Sequence, residues 1–441
     1  MSTRLSGRSV TGVSRRRFLA ALAAAAAAPY IVPGCAMGKN GRAAPSERIG
    51  IASIGLGSRG NNHLDTFLSR GETQIVAVCD PFESKCQAAK GKTERRYAAD
   101  RGAGSYAGCA TATDFRAVLA HKDVDAVVIA SPENWHVLQA SAAVKAGKDV
   151  YCEKALSLTV AEGRSLVDTV RRTGRILQVG IQQRSDRRFR QACELARNGY
   201  LGKVHTIKVS VPGGRALPNA EPKSVPPGLD YEMWLGPAAW TPYNDLKCTF
   251  NWYFIYDYCI GWIQSWGVHH IDIALWGVPG LAASTIDVEG DAVFPQDGIA
   301  NTSVTWSVKM TAPDGTRVIF SDESTQPHGV RFEGDKGWVH VVRGNIWAEP
   351  ASLLTAVPAP GDERLYESLD HHTNFLQCIR TRQEPAAPVE AGHRATTLTI
   401  VADIATRLGR KLTWDWKAER FPADEPANRM LSRAMRSPWT L

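Results

Sequence analysis

Arg48-Ile49-Gly50-Ile51-Ala52-Ser53-Ile54-Gly55-Leu56-Gly57-Ser58-Arg59-Gly60 decides the fold. The first seven residues read as a buried strand. The next six carry G-x-G-x-x-G, and a helix-like segment follows through Leu68. In that position the first glycine allows a tight turn. The second lets backbone N–H groups approach a pyrophosphate, and the third lets helix and strand pack closely. Gly55, Leu56, Gly57, Ser58, Arg59 and Gly60 are therefore candidate cofactor-binding residues, with the positive end of the helix facing the phosphates.

Working outward, Gln74 to Cys79 reads as a second strand and ends in Asp80. An acid there accepts from the adenosine ribose hydroxyls and repels a 2′-phosphate, so NAD is expected over NADP. Helix and strand then alternate. Strand-like runs at 124–130, 149–152 and 176–180 are separated by helix-like runs at 137–146 and 160–173. Ligands of an open parallel sheet bind beyond the carboxyl ends of its strands. Gly55, Asp80, Ser131, Lys154 and Gln182 all fall at such ends.

The second half has another texture. A helix at 189–198 leads into alternating segments at 204–209, 302–310, 317–321, 330–333 and 338–342, the pattern of an antiparallel sheet. Residues 212–252 form a long stretch rich in Pro, Gly and aromatics, and helices return at 370–380 and 391–408. The predicted class is α/β. A Rossmann dinucleotide-binding domain spans 45–180, and an α+β domain with a large, mainly antiparallel open sheet spans 181–441.

Upstream, Ser14-Arg15-Arg16-Arg17-Phe18-Leu19 precedes an alanine-rich run to Ala28. A basic start, a short apolar core and small residues make a signal peptide. The paired arginines resemble a twin-arginine signal, so residues 1–44 are read as signal and linker and the mature chain is expected outside the cytoplasm, in the periplasm. Cys35 follows Val32-Pro33-Gly34, whose proline makes a poor lipobox, and no lipid anchor is expected there. The net charge of +8 over 441 residues sits mostly in this leader, which holds seven bases and no acid. The near-neutral remainder has no electrostatic footprint for nucleic acid. No later run is apolar and long enough for a transmembrane anchor. The nine cysteines show no C-x-x-C pair, so no metal site or disulfide framework is read from them.

From residue 48 onward the chain resembles the glucose–fructose oxidoreductase / inositol dehydrogenase (Gfo/Idh/MocA) family. The likeness rests on the glycine loop and on Ser131-Pro132-Glu133-Asn134-Trp135-His136. It rests further on Ala146 to Lys154 and on Trp266-Gly267-Val268-His269-His270-Ile271-Asp272. It implies a nicotinamide cofactor and a sugar or cyclitol substrate. It also implies a homo-oligomer built through the C-terminal sheet. The twin-arginine signal, which permits folding around NAD before export, adds the expectation that the cofactor is tightly held. The Glu-Lys-Pro motif of the family stands here as Glu153-Lys154-Ala155. The Asp-x-Gly-x-His-x-x-Asp motif stands as Ser265 to Asp272, with Ser265 in place of the first acid. The resemblance implies catalytic roles for Lys154, His269 and Asp272. It implies cofactor contacts from Ser131, Pro132, Asn134, His136, Glu153, Lys154 and Gln182.

The residue chemistry agrees with those roles. At 100° per residue, Ser265, His269, Asp272 and Trp276 share one stripe of a continuous helix. A neutral histidine suits removal of a hydroxyl proton near pH 7, and a lysine ammonium suits a developing alkoxide. Trp135 and Arg184 are further pocket candidates, and Trp252, Tyr253 and Trp262 are candidates to stack on a sugar ring. Asp257 is a candidate to replace the missing acid, and His270 reads as structural. The leading reading is an exported NAD(P)-dependent oxidoreductase acting on a sugar or polyol hydroxyl. A redox-neutral glycosidase or lyase working through a transient keto-sugar and a non-catalytic cofactor-holding protein remain open alternatives.

Overall fold

The computed structural model describes residues 43, 44, 47–101 and 104–441. The predicted signal, with Arg15, Arg16 and Cys35, lies outside the described residues. Among those described, no helix is long and apolar enough to cross a membrane.

Six strands form the first sheet: β1 (Ile49–Ile54), β2 (Thr73–Cys79), β3 (Ala110–Ala112), β4 (Ala126–Ile129), β5 (Asp149–Cys152) and β6 (Leu177–Val179). Their order is β3-β2-β1-β4-β5-β6, and every pairing is parallel. Strands buried on both faces must be apolar throughout, and β1 and β4 are buried at every position. The order reverses beside β1, which opens a crevice where β1 and β4 end. The crossover helices begin and end on local signals. Thr159 and Glu162 form a reciprocal capping box at the start of Val160–Thr173, and Gly174, at φ 62°, ends it.

The helix Glu83–Arg101 carries no strong apolar stripe in sequence. It buries Cys86, Ala89, Thr93 and Tyr97, a helically spaced row made mostly of small residues. Small residues pack a helix closely to a sheet but give a weak periodic signal.

The second sheet has eight strands: β7 (Val204–Val211), β8 (Thr285–Val293), β9 (Thr305–Thr311), β10 (Arg317–Asp322), β11 (Gly329–Gly334), β12 (Gly337–Val342), β13 (Asn345–Glu349) and β14 (Leu412–Asp415). The order is β13-β12-β11-β7-β10-β9-β8-β14. Only β7 and β10 pair in parallel; the remaining pairs are antiparallel. Alternation explains the layering. Trp306, Val308 and Met310 of β9 join Val318, Phe320, Val330, Phe332, Val339 and Val341 in one core, beneath helices Arg187–Arg197, Gly267–Gly277 and Val389–Leu408.

The two sheets are stitched together by the C-terminal chain. Phe375 and Leu376 pack with Ile51 and Tyr151. Ala387, Val389 and Ala395 join Val179, and Trp439 meets Trp135 edge-on at 4.7 Å. A boundary near residue 180 thus separates the sheets, while residues 371–395 and 435–439 return to the first. The cleft between them receives residues from both.

Candidate functional site

The glycine loop is built as its spacing requires. Gly55 sits at φ 85°, a conformation that favours glycine. A Cβ on Gly60 would lie 1.8 Å from the Gly55 carbonyl oxygen, so helix Ser58–Leu68 can approach β1 only without one. A Cβ on Gly57 would meet nothing within 4 Å, which leaves open space in front of the loop. The Asn61 amide braces the turn by donating to the Leu56 carbonyl at 2.7 Å. Gly57, Ser58 and Arg59 stand at the helix start with open space before Gly57, a cradle that fits a dinucleotide pyrophosphate.

Gly55, Leu56, Gly57, Ser58 and Arg59 line one end of a cavity of about 590 Å³, together with Asp80, Ser131, Pro132, Glu153 and Lys154. Asp80 is buried. Its Oδ2 accepts from the Leu56 N–H at 2.7 Å and its Oδ1 from the Phe82 N–H at 3.0 Å. Lys85 Nζ stands 3.7 Å from Oδ1 and also lines the cavity. Sequence reading did not single out Lys85, although it lies one helical turn beyond Asp80. Ser131 Oγ donates to Gln139 at 2.7 Å.

Three expected cofactor contacts lie off the lining of this cavity. Asn134 is buried away from the cavity and donates to the Leu235 carbonyl at 3.1 Å, so it ties the strand end to the long loop. His136 spends both ring nitrogens on backbone carbonyls, Nδ1 with Ala155 at 2.7 Å and Nε2 with Ser131 at 3.0 Å. It pins two strand-end turns together. Gln182 does not line the cavity, and its side-chain oxygen is buried without a hydrogen-bond partner among the described residues.

Glu153 is held from three sides. Burial alone would raise its carboxyl. Arg59 at 2.7 Å, His63 at 2.8 Å and the charge of Lys154 outweigh that and hold it well below its ordinary value. His63 was not anticipated. It lies on the helix after the fingerprint and reaches His372 with its other nitrogen at 2.9 Å. Lys154 follows at the β5 end, and its peptide bond to Ala155 is cis. Its Nζ donates to Ser265 Oγ at 3.1 Å and lies 5.6 Å from the centre of the Tyr253 ring. Ser265 therefore faces Lys154.

The predicted single helix through Ser265, His269 and Asp272 is broken. Helix Trp262–Ser265 ends, Trp266 intervenes, and Gly267–Gly277 begins, with His269 N–H donating to the Trp266 carbonyl at 3.2 Å. Gly267 is packed against Phe320, whose ring tip would lie 2.6 Å from a Cβ there. His269 itself is 4 % exposed, and its Nδ1 has no hydrogen-bond partner among the described residues. Burial, then the charges of Arg343 and Lys154, push its imidazole well below the ordinary value. It is thus neutral at pH 7 and free to accept a proton. It does not line the cavity above but lies within electrostatic reach of Lys154 and Glu153.

Asp272 is placed otherwise than the motif implies. Both carboxylate oxygens are taken by Arg184, at 3.0, 2.8 and 2.8 Å, and no hydrogen bond joins it to His269. It is a buried ion-pair partner, and Arg184 is its clamp rather than a pocket residue. Asp257 does not substitute. Its charge acts on Lys247 and Tyr258, and it is not among the groups that act on His269.

The long stretch at 212–252 supplies the cavity's other wall. Met233, Thr249, Trp252 and Tyr253 line it, and the last two rings stack at 3.8 Å. Trp135 also lines it, whereas Trp262 packs on Phe254. Arg343, in the β12–β13 turn, gave no sequence signal. An arginine before a glycine in a short hairpin reads as solvated.

Two family models together account for most of the chain. An oxidoreductase family NAD-binding Rossmann fold matches residues 49–181. An oxidoreductase family C-terminal alpha/beta domain matches residues 206–441. Among curated relatives, the myo-inositol 2-dehydrogenase of Thermotoga maritima is 30% identical over 186 residues, 42% of this chain and 48% of the relative. The D-glucoside 3-dehydrogenase of Escherichia coli is 28% identical over 201 residues, 44% and 54% of the two chains. The chain spans about half the length of these relatives. The fold of scyllo-inositol dehydrogenase from Lactobacillus casei, solved with NAD(H) and scyllo-inositol, matches with a TM-score of 0.57 at 18% identity. That match covers 84% of this chain and 99% of that one. With both domain models in register along the chain, the protein belongs to the Gfo/Idh/MocA oxidoreductase family.

Proposed function

We propose that the protein is an exported NAD-dependent oxidoreductase that transfers hydride between nicotinamide and a hydroxyl carbon of a sugar or sugar-like polyol. The observation that carries the reading is His269. It is a buried, neutral imidazole whose Nδ1 has no hydrogen-bond partner among the described residues, within electrostatic reach of Lys154, which lines the cavity beside the glycine loop. The nicotinamide supplies the hydride chemistry when bound. Gly55 to Arg59 would hold its pyrophosphate, and Asp80 its adenosine ribose. His269 takes the hydroxyl proton as hydride leaves carbon. Lys154, fixed by Ser265 and the Tyr253 face, stabilises the developing negative oxygen.

The preference for NAD rests on Asp80, and the export on the paired arginines at Arg15 and Arg16. The two fit together, because a twin-arginine route carries folded proteins and so permits export with the nucleotide already bound. The cofactor is then held through many turnovers. Assembly of copies through the open face of the eight-stranded sheet belongs to the same reading and is checked by sedimentation.

The test is extraction of the mature protein after exhaustive dialysis, followed by assay against sugars and polyols. Near one nicotinamide nucleotide per chain, with NADH formed on adding a polyol, supports the reading. Glycoside cleavage without net NADH would replace it with the redox-neutral alternative. A folded protein that binds no nucleotide would overturn it.

A further inference from the structure

The β12–β13 hairpin turns at Arg343 and Gly344 and carries the Arg343 guanidinium to 4.5 Å from the centre of the Trp266 ring. The same tryptophan meets the His269 ring at 5.5 Å. Arg343 thus stands beside the proposed base, held by an aromatic face. Among the described residues no carboxylate is within ion-pair distance of it, and no hydrogen bond occupies its fork. The charges that reach it are Arg59, which repels it, and Glu153, which attracts it. Glu153 is already shared by Arg59 and His63. Arg59, Lys154 and the exposed Arg343 thus share the field of Glu153, while the buried Glu133 accepts from the Ala155 N–H beside Lys154. A guanidinium stays charged under such repulsion, and a free planar fork matches the two oxygens of a carboxylate or phosphate. The pyrophosphate of a dinucleotide has the glycine loop and helix start for itself, on the other sheet.

We infer that Arg343 receives an anionic substituent, a carboxylate or a phosphate, on the sugar-like substrate and so selects acidic sugars over neutral ones. This rests on the hydride-transfer reading above for the identity of the substrate as a sugar. The Trp266 face holds the fork, and a bound anion would give the Arg343 guanidinium a direct counter-charge.

The experiment uses the NADH-loaded holoenzyme and calorimetric titration with matched pairs. These are D-glucuronate and D-glucose 6-phosphate against D-glucose, and D-galacturonate against D-galactose. At least one acidic sugar should bind about tenfold or more tighter than its neutral partner. Arg343→Gln should abolish that preference and leave the neutral sugar unchanged. Arg343→Lys should restore part of it, as a point charge without the fork. Tighter binding of the uronates identifies a carboxylate, and of the sugar phosphate a phosphate. The inference is overturned if no acidic sugar is preferred, or if Arg343→Gln retains the preference. It is also overturned if Arg343→Gln weakens NADH itself, which would assign the arginine to the cofactor. The two levels separate cleanly. Oxidation of neutral polyols with no acid preference keeps the dehydrogenase reading and removes the anion subsite. Arg343-dependent binding of acidic sugars without hydride transfer to NAD does the reverse.

Discussion

The two ends of the cleft are built on opposite principles. At the glycine-loop end the groups that face the loop are held within the protein. Asp80 accepts from the backbone at Leu56 and Phe82, Asn61 braces the turn, and Glu153 is shared by Arg59 and His63. At the other end the groups are left open. Among the described residues His269 Nδ1 has no partner, the exposed Arg343 has no carboxylate, and the Lys154 ammonium donates to a serine. Buried polar groups normally find partners. His269 is buried, so its unpaired Nδ1 beside the Lys154 ammonium marks the place where a reacting molecule completes the set.

The largest effects should come from the open end. Lys154→Met and His269→Ala should each reduce turnover by about two orders of magnitude or more. Bound nucleotide should stay near one per chain, because neither residue holds the glycine loop. Steady-state kinetics and nucleotide extraction check this together. Near-normal turnover in either variant would dissolve the distinction between the two ends.

The next effect belongs to the satisfied end. Asp80→Ala leaves the buried Leu56 N–H without its acceptor and takes away the counter-charge of Lys85. NAD affinity should fall about ten- to hundredfold. NADP should fall less, since Lys85 becomes free to meet a 2′-phosphate. Titration of both nucleotides reads the ratio. An unchanged ratio would place Asp80 outside the ribose site.

Why one end was legible and the other was not follows from chain separation. Strand, glycine loop, helix and Asp80 lie within about thirty consecutive residues, and each glycine answers a local steric demand. Gly55 and Gly60 could therefore be assigned from spacing alone. The open end draws on Lys154, Ser265, Trp266, His269 and Arg343, from elements that only tertiary packing brings together. The helical stripe placed Ser265 and Asp272 beside His269. The break at Trp266, set by Gly267 against Phe320, gives Ser265 to Lys154, and Asp272 is given to Arg184. Asn134 and His136 sit at a strand end as predicted, but a strand-end position does not say whether a side chain faces the crevice or the protein behind it. Helix Glu83–Arg101 was silent because its buried face is built mostly of small side chains.

A smaller effect sharpens the electrostatics of the open end. The His269 imidazole is depressed by burial and then by Arg343 and Lys154; Glu153 opposes them and His270 adds to them. The acidic limb of kcat/KM should therefore lie below pH 6.5, the unperturbed imidazole value. Ser265→Asp places a carboxylate near Lys154 and offsets part of that positive charge. A negative neighbour favours the protonated ring, so the limb should move up, by up to about one unit. Activity on the acidic limb falls while activity at pH 8 holds. A limb that stays fixed would mean that Lys154 and Arg343 do not act on the base.

The smallest effect on turnover concerns a buried histidine behind the satisfied end. His371 is 4 % exposed; its Nε2 pairs with the Val179 carbonyl at 2.9 Å and its Nδ1 with Ser185 Oγ at 2.7 Å. Burial pushes it down to about 4, despite the Val179 carbonyl and Glu153. The folded state therefore takes up its proton later than the unfolded chain, whose imidazole titrates near 6.5. As pH falls below 6.5 the unfolded state binds more protons, and stability drops until about pH 4, where the folded state titrates too. From pH 7 to pH 5 this one group should remove about 1–2 kcal/mol. His371→Gln keeps a donor and an acceptor but cannot titrate. Its urea midpoint should fall less over that interval than the wild type's, with turnover at pH 7 unchanged. Equal slopes in the two proteins would show that the histidine is solvated in the native state. The contrast would then fail at its quiet end, because the region behind the glycine loop would admit water around His371 and would not be the closed support that leaves chemistry to the other side.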